Sequence, residues 1–171
     1  MNQQEGTVTD LRSLMDLLPN KDGVVRQKAR EALVALGKPA VSSLTQALRN
    51  SRLDQVRWEA AKALGSINDT GSIPSLVKAL EDTNSDVAWA AADALKTFRK
   101  AAWPSLLQAL VSSKPDDVGL RKGAHRVLVD QTGDDFSELL AALLKALESS
   151  SAPESSAVAA HAMLARMNEN P

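Results

Sequence analysis

The chain has 171 residues, 44% of them hydrophobic and only 3% aromatic, with a net charge of −1 and a pI near 6.1; this suffices for one domain with an aliphatic core and gives no global attraction to nucleic acid or an anionic membrane. With no cysteine, disulfides, thiolate catalysis and cysteine-based metal sites are excluded. The polar start MNQQEGTVTD lacks a signal pattern and no segment approaches the roughly 20 apolar residues that span a bilayer, so a soluble, cytoplasmic protein is expected.

Along the chain two short patterns alternate. The first is apolar-x-x-Leu-x-x-x-Leu, at Leu11–Leu18, Val41–Leu48, Ile73–Leu80, Trp103–Leu110 and Phe136–Leu143. The second is Val-Arg-x-x-Ala-x-x-Ala-Leu, at Val25–Leu33, Val56–Leu64 and Val87–Leu95, with a weaker copy at Leu120–Leu128 and a degenerate one at Ser156–Leu164. Both put apolar residues at helical spacing, and scarce β-branched alternation argues against strands.

The expected helices, in order, are 8–18, 23–36, 39–49, 54–67, 72–82, 85–98, 102–111, 117–130, 134–148 and 154–168. Turn chemistry separates them, as in 19–23, 68–71, 82–86 and 113–117. Pro39, Pro74 and Pro104 fall in first turns, where a missing N–H is harmless. Asp116 with Asp117 and Asp134 with Asp135 begin helices, which makes them caps rather than an acid/base pair.

One helix pair cannot bury its own apolar stripe, whereas stacked pairs share a continuous core. The fold expected is therefore all-α, a right-handed or gently curved α-solenoid of about five pairs and ten helices. It is divided as a disordered N-terminus 1–7, one repeat domain 8–168 (repeats 8–37, 38–68, 69–99, 100–132 and 133–168) and a tail 169–171. The Ser-rich stretch 149–156 is read as a long loop within the last repeat.

The Pro-containing first helix followed by Asp-x-Val-Arg-x-x-Ala-x-x-Ala-Leu resembles HEAT repeats, and its clearest copy, residues 56–80, is similar to the HEAT-like repeats of phycobilin lyase subunits and their bacterial relatives. The resemblance covers about residues 8–168. It implies that the Val-Arg helices line a concave face where partners bind, and that Arg26, Arg57 and Arg121 tie to Asp54, Asp86 and Asp117. Ala88 replaces the arginine in the third repeat, interrupting the ladder.

Trp58 and Trp89 occupy the same slot of consecutive repeats, 31 residues apart. At about 100° per residue each lies roughly 200° from the core-facing valine two positions earlier. Two readings follow: an exposed aromatic pair that anchors a partner, or two indoles lying on neighbouring repeats as packing. Trp103 aligns with Val41 and Ile73 and belongs to the core.

The expected partner-binding face runs Gln27, Lys28, Glu31, Trp58, Glu59, Lys62, Trp89, Asp93, Lys122 and Arg126. With Arg121, the last two form a basic end suited to an acidic peptide or phosphate; a solvated helix face is the plainer reading. His125 and His161 lack metal-ligand spacing. The HEAT-like deoxyhypusine hydroxylases bind iron through paired His-Glu motifs, whereas this chain has HisArg and HisAla.

No Gly-rich phosphate loop or nucleophile arrangement is present, so no catalytic residue and no cofactor or metal is expected. The function expected is a non-enzymatic scaffold for a protein or peptide. The alternatives are a lyase-like subunit handling a linear tetrapyrrole and a DNA-binding solenoid like the HEAT-like alkylpurine glycosylases. The last helix is small or apolar nearly all round, with Val158, Ala159 and Ala162 outward, which either makes a self-association surface or reflects alanine as a helix former.

Overall fold

A computed structural model describes residues 3–114, 117–132, 134–149 and 154–169, with 3–9 and 134 described by their backbone alone. The ten α-helices are α1 (Gln3–Leu17), α2 (Gly23–Leu36), α3 (Lys38–Asn50), α4 (Asp54–Ile67), α5 (Ile73–Ala79), α6 (Ser85–Thr97), α7 (Trp103–Ser112), α8 (Val118–Leu128), α9 (Ser137–Glu148) and α10 (Glu154–Glu169). Short 3₁₀ turns lead into α5, α7 and α9 at Thr70–Ser72, Arg99–Ala102 and Asp134–Phe136. The described residues contain no strand.

Local chemistry sets the boundaries. Asp22, Asn84 and Asp117 accept the free amides at the starts of α2, α6 and α8, the expected use of short polar side chains before a helix. Asp116 and the Asp134 side chain, read as caps, lie outside the description, as do 150–153 of the Ser-rich loop.

Pro39, Pro74 and Pro104 each stand in a first turn. Gly37, at φ 67° and ψ −134°, is the single residue between α2 and α3, a backbone conformation that a Cβ would disfavour. Two differences from expectation appear. Helix α1 begins at Gln3, inside the stretch expected to be disordered. Helix α5 ends at Ala79, because Leu80, Glu81 and Asp82 donate to carbonyls three residues back and tighten the last turn into a 3₁₀ form.

Helices α1, α3, α5 and α7 pack as one row, and α2, α4, α6 and α8 as the other. The fifth pair breaks this register. Helix α9 packs on α8 and so extends the second-helix row, while α10 packs on α7 and on α9. The expectation put them the other way round. The Arg121 guanidinium supplies one reason: it donates to the carbonyls of Ala146 (3.4 Å), Leu147 (3.3 Å) and Ser149 at the end of α9, where a cation also meets the negative end of the helix dipole.

The core is continuous and mainly aliphatic. Trp103 is fully buried, its indole donates to Gln131 at 2.6 Å, and Phe136 meets its ring edge-on at 6.1 Å. The placement read from the repeat register is met. On α10, Ser156, Ala160 and Met163 are buried; Val158 is 70% exposed and Ala162 is exposed. Ala159, expected to face outward, is half-buried against the core.

Helices α4 and α6 approach closely at Gly65, where an added Cβ would meet Ala94 Cβ at 2.7 Å and Ala94 Cα at 2.8 Å. The Thr97 hydroxyl lies 3.1 Å from the Gly65 carbonyl beside this contact. Gly65→Ala gains helix propensity but forces the two helices apart, so a net loss on the order of 1 kcal/mol is expected in urea unfolding. Unchanged or increased stability would show that this contact yields without strain.

Candidate functional site

The second-helix row presents the residues picked out by the repeat. Gln27, Lys28 and Glu31 on α2 are exposed, with the Gln27 amide donating to Glu31 at 2.9 Å. Lys62 on α4, Asp93 on α6 and Lys122 on α8 are also exposed. Trp89 on α6 is 57% exposed, while Trp58 on α4 is half-buried and packs partly on the core.

The equal slots therefore have unequal surroundings. Lys62 Nζ lies 4.3 Å from the centre of the Trp58 ring and the Arg30 guanidinium 5.9 Å away, so side chains from its own helix and from α2 cover that indole. Among the described residues, the cation over Trp89 is the Arg126 guanidinium, 3.6 Å from its ring centre. The aromatic pair among the described residues is Trp103 with Phe136, so Trp58 and Trp89 do not stack on each other.

Glu59 does not belong to the surface. It is 2% exposed and accepts hydrogen bonds from Arg26 Nε (3.3 Å), Arg30 Nη1 (2.6 Å) and Gln55 Nε2 (3.3 Å). A buried carboxylate requires such partners, and here they tie α2 to α4. Arg26 and Arg30 stand one turn apart on one face, a pairing visible in the sequence but not used to place Glu59.

The arginine ladder also runs differently. Arg57 forms a bidentate pair with Asp82, at 2.7 and 2.8 Å, and donates to the Ser51 carbonyl. Asp54 instead accepts from the Asn84 amide at 2.8 Å. Asp117 caps α8, and Arg121 is buried against backbone carbonyls. The expected partners Asp54 and Asp86 sit in the first turns of their helices, whereas Asp82 in the preceding turn can face the guanidinium squarely.

Nor is there a basic end. Arg121 is buried, and Arg126 is paired with Asp93 at 2.8 Å, which leaves exposed Lys122. Further ties between repeats are Lys96 with Asp130 at 2.8 Å and His125 with Glu148 at 3.1 Å. His161 is exposed. Among the described residues no group of three or more His, Asp or Glu side chains is placed to hold a metal.

Two clefts meet at the indoles. The larger, about 650 Å³, is lined by Arg26, Asp54, Gln55, Trp58, Asn84, Asp86 and Trp89. The smaller, about 330 Å³, runs past Lys62, Gly65, Asp93 and Thr97 and is again walled by Trp58 and Trp89. Asp54, Gln55, Asn84 and Asp86 were missed as surface lining, although the position of Asp54, Gln55 and Asp86 in first turns, three or four residues before a Trp, is a signal of a shared face.

Burial alone would raise the Asp82 carboxyl, but the Arg57 hydrogen bonds and the Asn84 backbone N–H hold it below the ordinary carboxylate range. The sign follows: this contribution is present above the unfolded-state value and is lost as pH falls through the lower folded-state value. Asp82→Asn is therefore expected to flatten the acid limb of the stability curve below about pH 4. An acid limb as steep as the parent's, measured by urea unfolding at stepped pH, would remove Asp82 from the account.

Glu81 behaves oppositely. Its hydrogen bond with Asp117, together with burial, raises it, while Lys78 pulls it down; Asp117 is lowered by the same contact.

Two rows of antiparallel helices sharing one core define an α-solenoid, a class in which the repeat motif reports stacking and function resides in the exposed face. A family model described as HEAT repeats matches residues 41–128, and the chain belongs to the HEAT-repeat family. Similar solved structures include the crystal structure of an engineered protein, 24% identical over 91% of this chain and 79% of that one, with a TM-score of 0.45. No curated protein matches. Among the described residues no helix is long and apolar enough to cross a membrane.

Proposed function

We propose that the chain is a non-enzymatic scaffold that binds a protein segment along its second-helix row, with Trp89 as the anchor and Trp58 as the cleft wall beside it. The observation that carries this reading is a large aromatic side chain left 57% exposed on a rigid helix and bordering two clefts. Helices tied by Glu59, Asp82 and Asp93 present the surface already ordered, which limits the entropy lost on binding. HEAT repeats generally serve as interaction scaffolds, and the chain's membership supports the same use.

The carboxylates of Asp54 and Asp86 in the larger cleft oppose phosphates and propionates, which weighs against duplex DNA and linear tetrapyrroles as occupants. The test is capture from a lysate of the source organism with the parent chain and with Trp89→Ala in parallel. A protein retained by the parent and lost from the variant is the expected result. Identical captures by both chains would sink the reading.

A further inference from the structure

We propose that the larger cleft receives an arginine or lysine side chain of the bound segment, seated on the Trp89 ring with Asp86 as its counter-ion; this rests on the scaffold reading above and names the chemistry of its occupant. The protein already contains the finished version of this arrangement. On one side of Trp89, the Arg126 guanidinium stacks on the indole at 3.6 Å and pairs with Asp93, four residues later on the same helix, at 2.8 Å.

On the other side, Asp86 stands three residues before Trp89 and shares its face of α6. It is exposed, lines the cleft with Trp89, and among the described residues has no Lys, Arg or His within ion-pair distance. The indole and the carboxylate border the same cleft.

Charge around the cleft points the same way. Its one basic residue, Arg26, is spent on Glu59 and on the carbonyls of Asn20 (2.7 Å) and Lys21 (3.0 Å). Asp54 and Asp86 leave the cleft negative, and Arg126 is not among the residues that line either cleft. Trp58, with Asp54 four residues before it and Lys62 over its ring, repeats the theme one helix away. An aromatic face beside an unpaired carboxylate selects a guanidinium or ammonium over a neutral or acidic group.

The test uses a short Gly/Ser peptide carrying two arginines, with lysine and glutamate counterparts, titrated against the full chain by tryptophan fluorescence and calorimetry. The arginine peptide is expected to bind saturably and more weakly at high salt, the lysine peptide to bind less tightly, and the glutamate peptide not to bind. Asp86→Asn is expected to weaken the arginine peptide roughly tenfold. Asn84 supplies the helix cap, so this variant should melt with the parent.

No arginine binding, equal binding of the glutamate peptide, or an affinity unchanged in Asp86→Asn would each overturn the proposal. A captured protein that depends on Trp89 but not on Asp86 would overturn this inference alone. Capture indifferent to Trp89 would overturn the scaffold reading as well.

Discussion

Glu59→Gln is expected to lower the free energy of unfolding by about 3 kcal/mol, the scale of breaking a buried ion pair from one side. The carboxylate accepts from two guanidiniums and one amide while almost wholly buried. A glutamine keeps the shape but loses the charge, and one of its two positions becomes a donor facing the Arg26 or Arg30 donors. Both arginines are largely covered, with side chains 19% and 16% exposed, so neither can turn fully to water without breaking the α2–α4 contact. A loss below about 1 kcal/mol in urea unfolding would show that the triad is solvated and contributes as a surface pair does.

The same substitution reaches the binding face, because Arg30 is also one of the two cations over Trp58. Freed from Glu59, it is expected to release that ring, and the fluorescence of Trp58 should shift toward that of an exposed indole.

The second large effect is on binding. Trp89→Ala is expected to weaken the scaffold's partner by at least about 2 kcal/mol, roughly thirtyfold, with little change in stability. An indole that is 57% exposed contributes modestly to the fold, and Arg126 retains its pair with Asp93 after the ring is removed. Trp58→Ala should differ. Its ring packs partly on the core, so a stability loss of about 1–2 kcal/mol accompanies any loss of binding, less than for a fully buried aromatic. The single Trp89 variant is therefore the cleaner probe, because replacing Trp58 together with Trp89 would confound the two effects.

How far the sequence reached can be judged from particular residues. The Leu and Ala spacing of the first four repeats placed eight helices and the core role of Trp103, because helical periodicity is local and strong. It did not place the fifth pair. The degenerate stretch Ser156–Leu164 is apolar or small on nearly every side, so no stripe indicates which row it joins, and α10 settled beside α7 through tertiary packing.

The charged residues were harder still. Glu59 and Trp58 are adjacent in one helix; angle put Trp58 on the surface, and polarity alone put Glu59 there, although at about 100° per residue Glu59 lies only about 60° from the core-facing Val56. What buries Glu59 is a pair of arginines about 30 residues away on α2. The Arg57 partner was sought at Asp54 or Asp86 by motif, whereas its bidentate geometry needed Asp82. Likewise the supposed basic end vanished once Arg121 was committed to the end of α9 and Arg126 to Asp93. Long-range pairing of charges is not periodic, and the repeat pattern carries no record of it.

The most direct test of the scaffold reading is calorimetric titration of the captured partner into the parent chain and into Trp89→Ala, with thermal melts of both. The account predicts an affinity at least about thirtyfold weaker for the variant and coincident melting curves. Equal affinity with coincident melts would place the partner elsewhere on the molecule and contradict it.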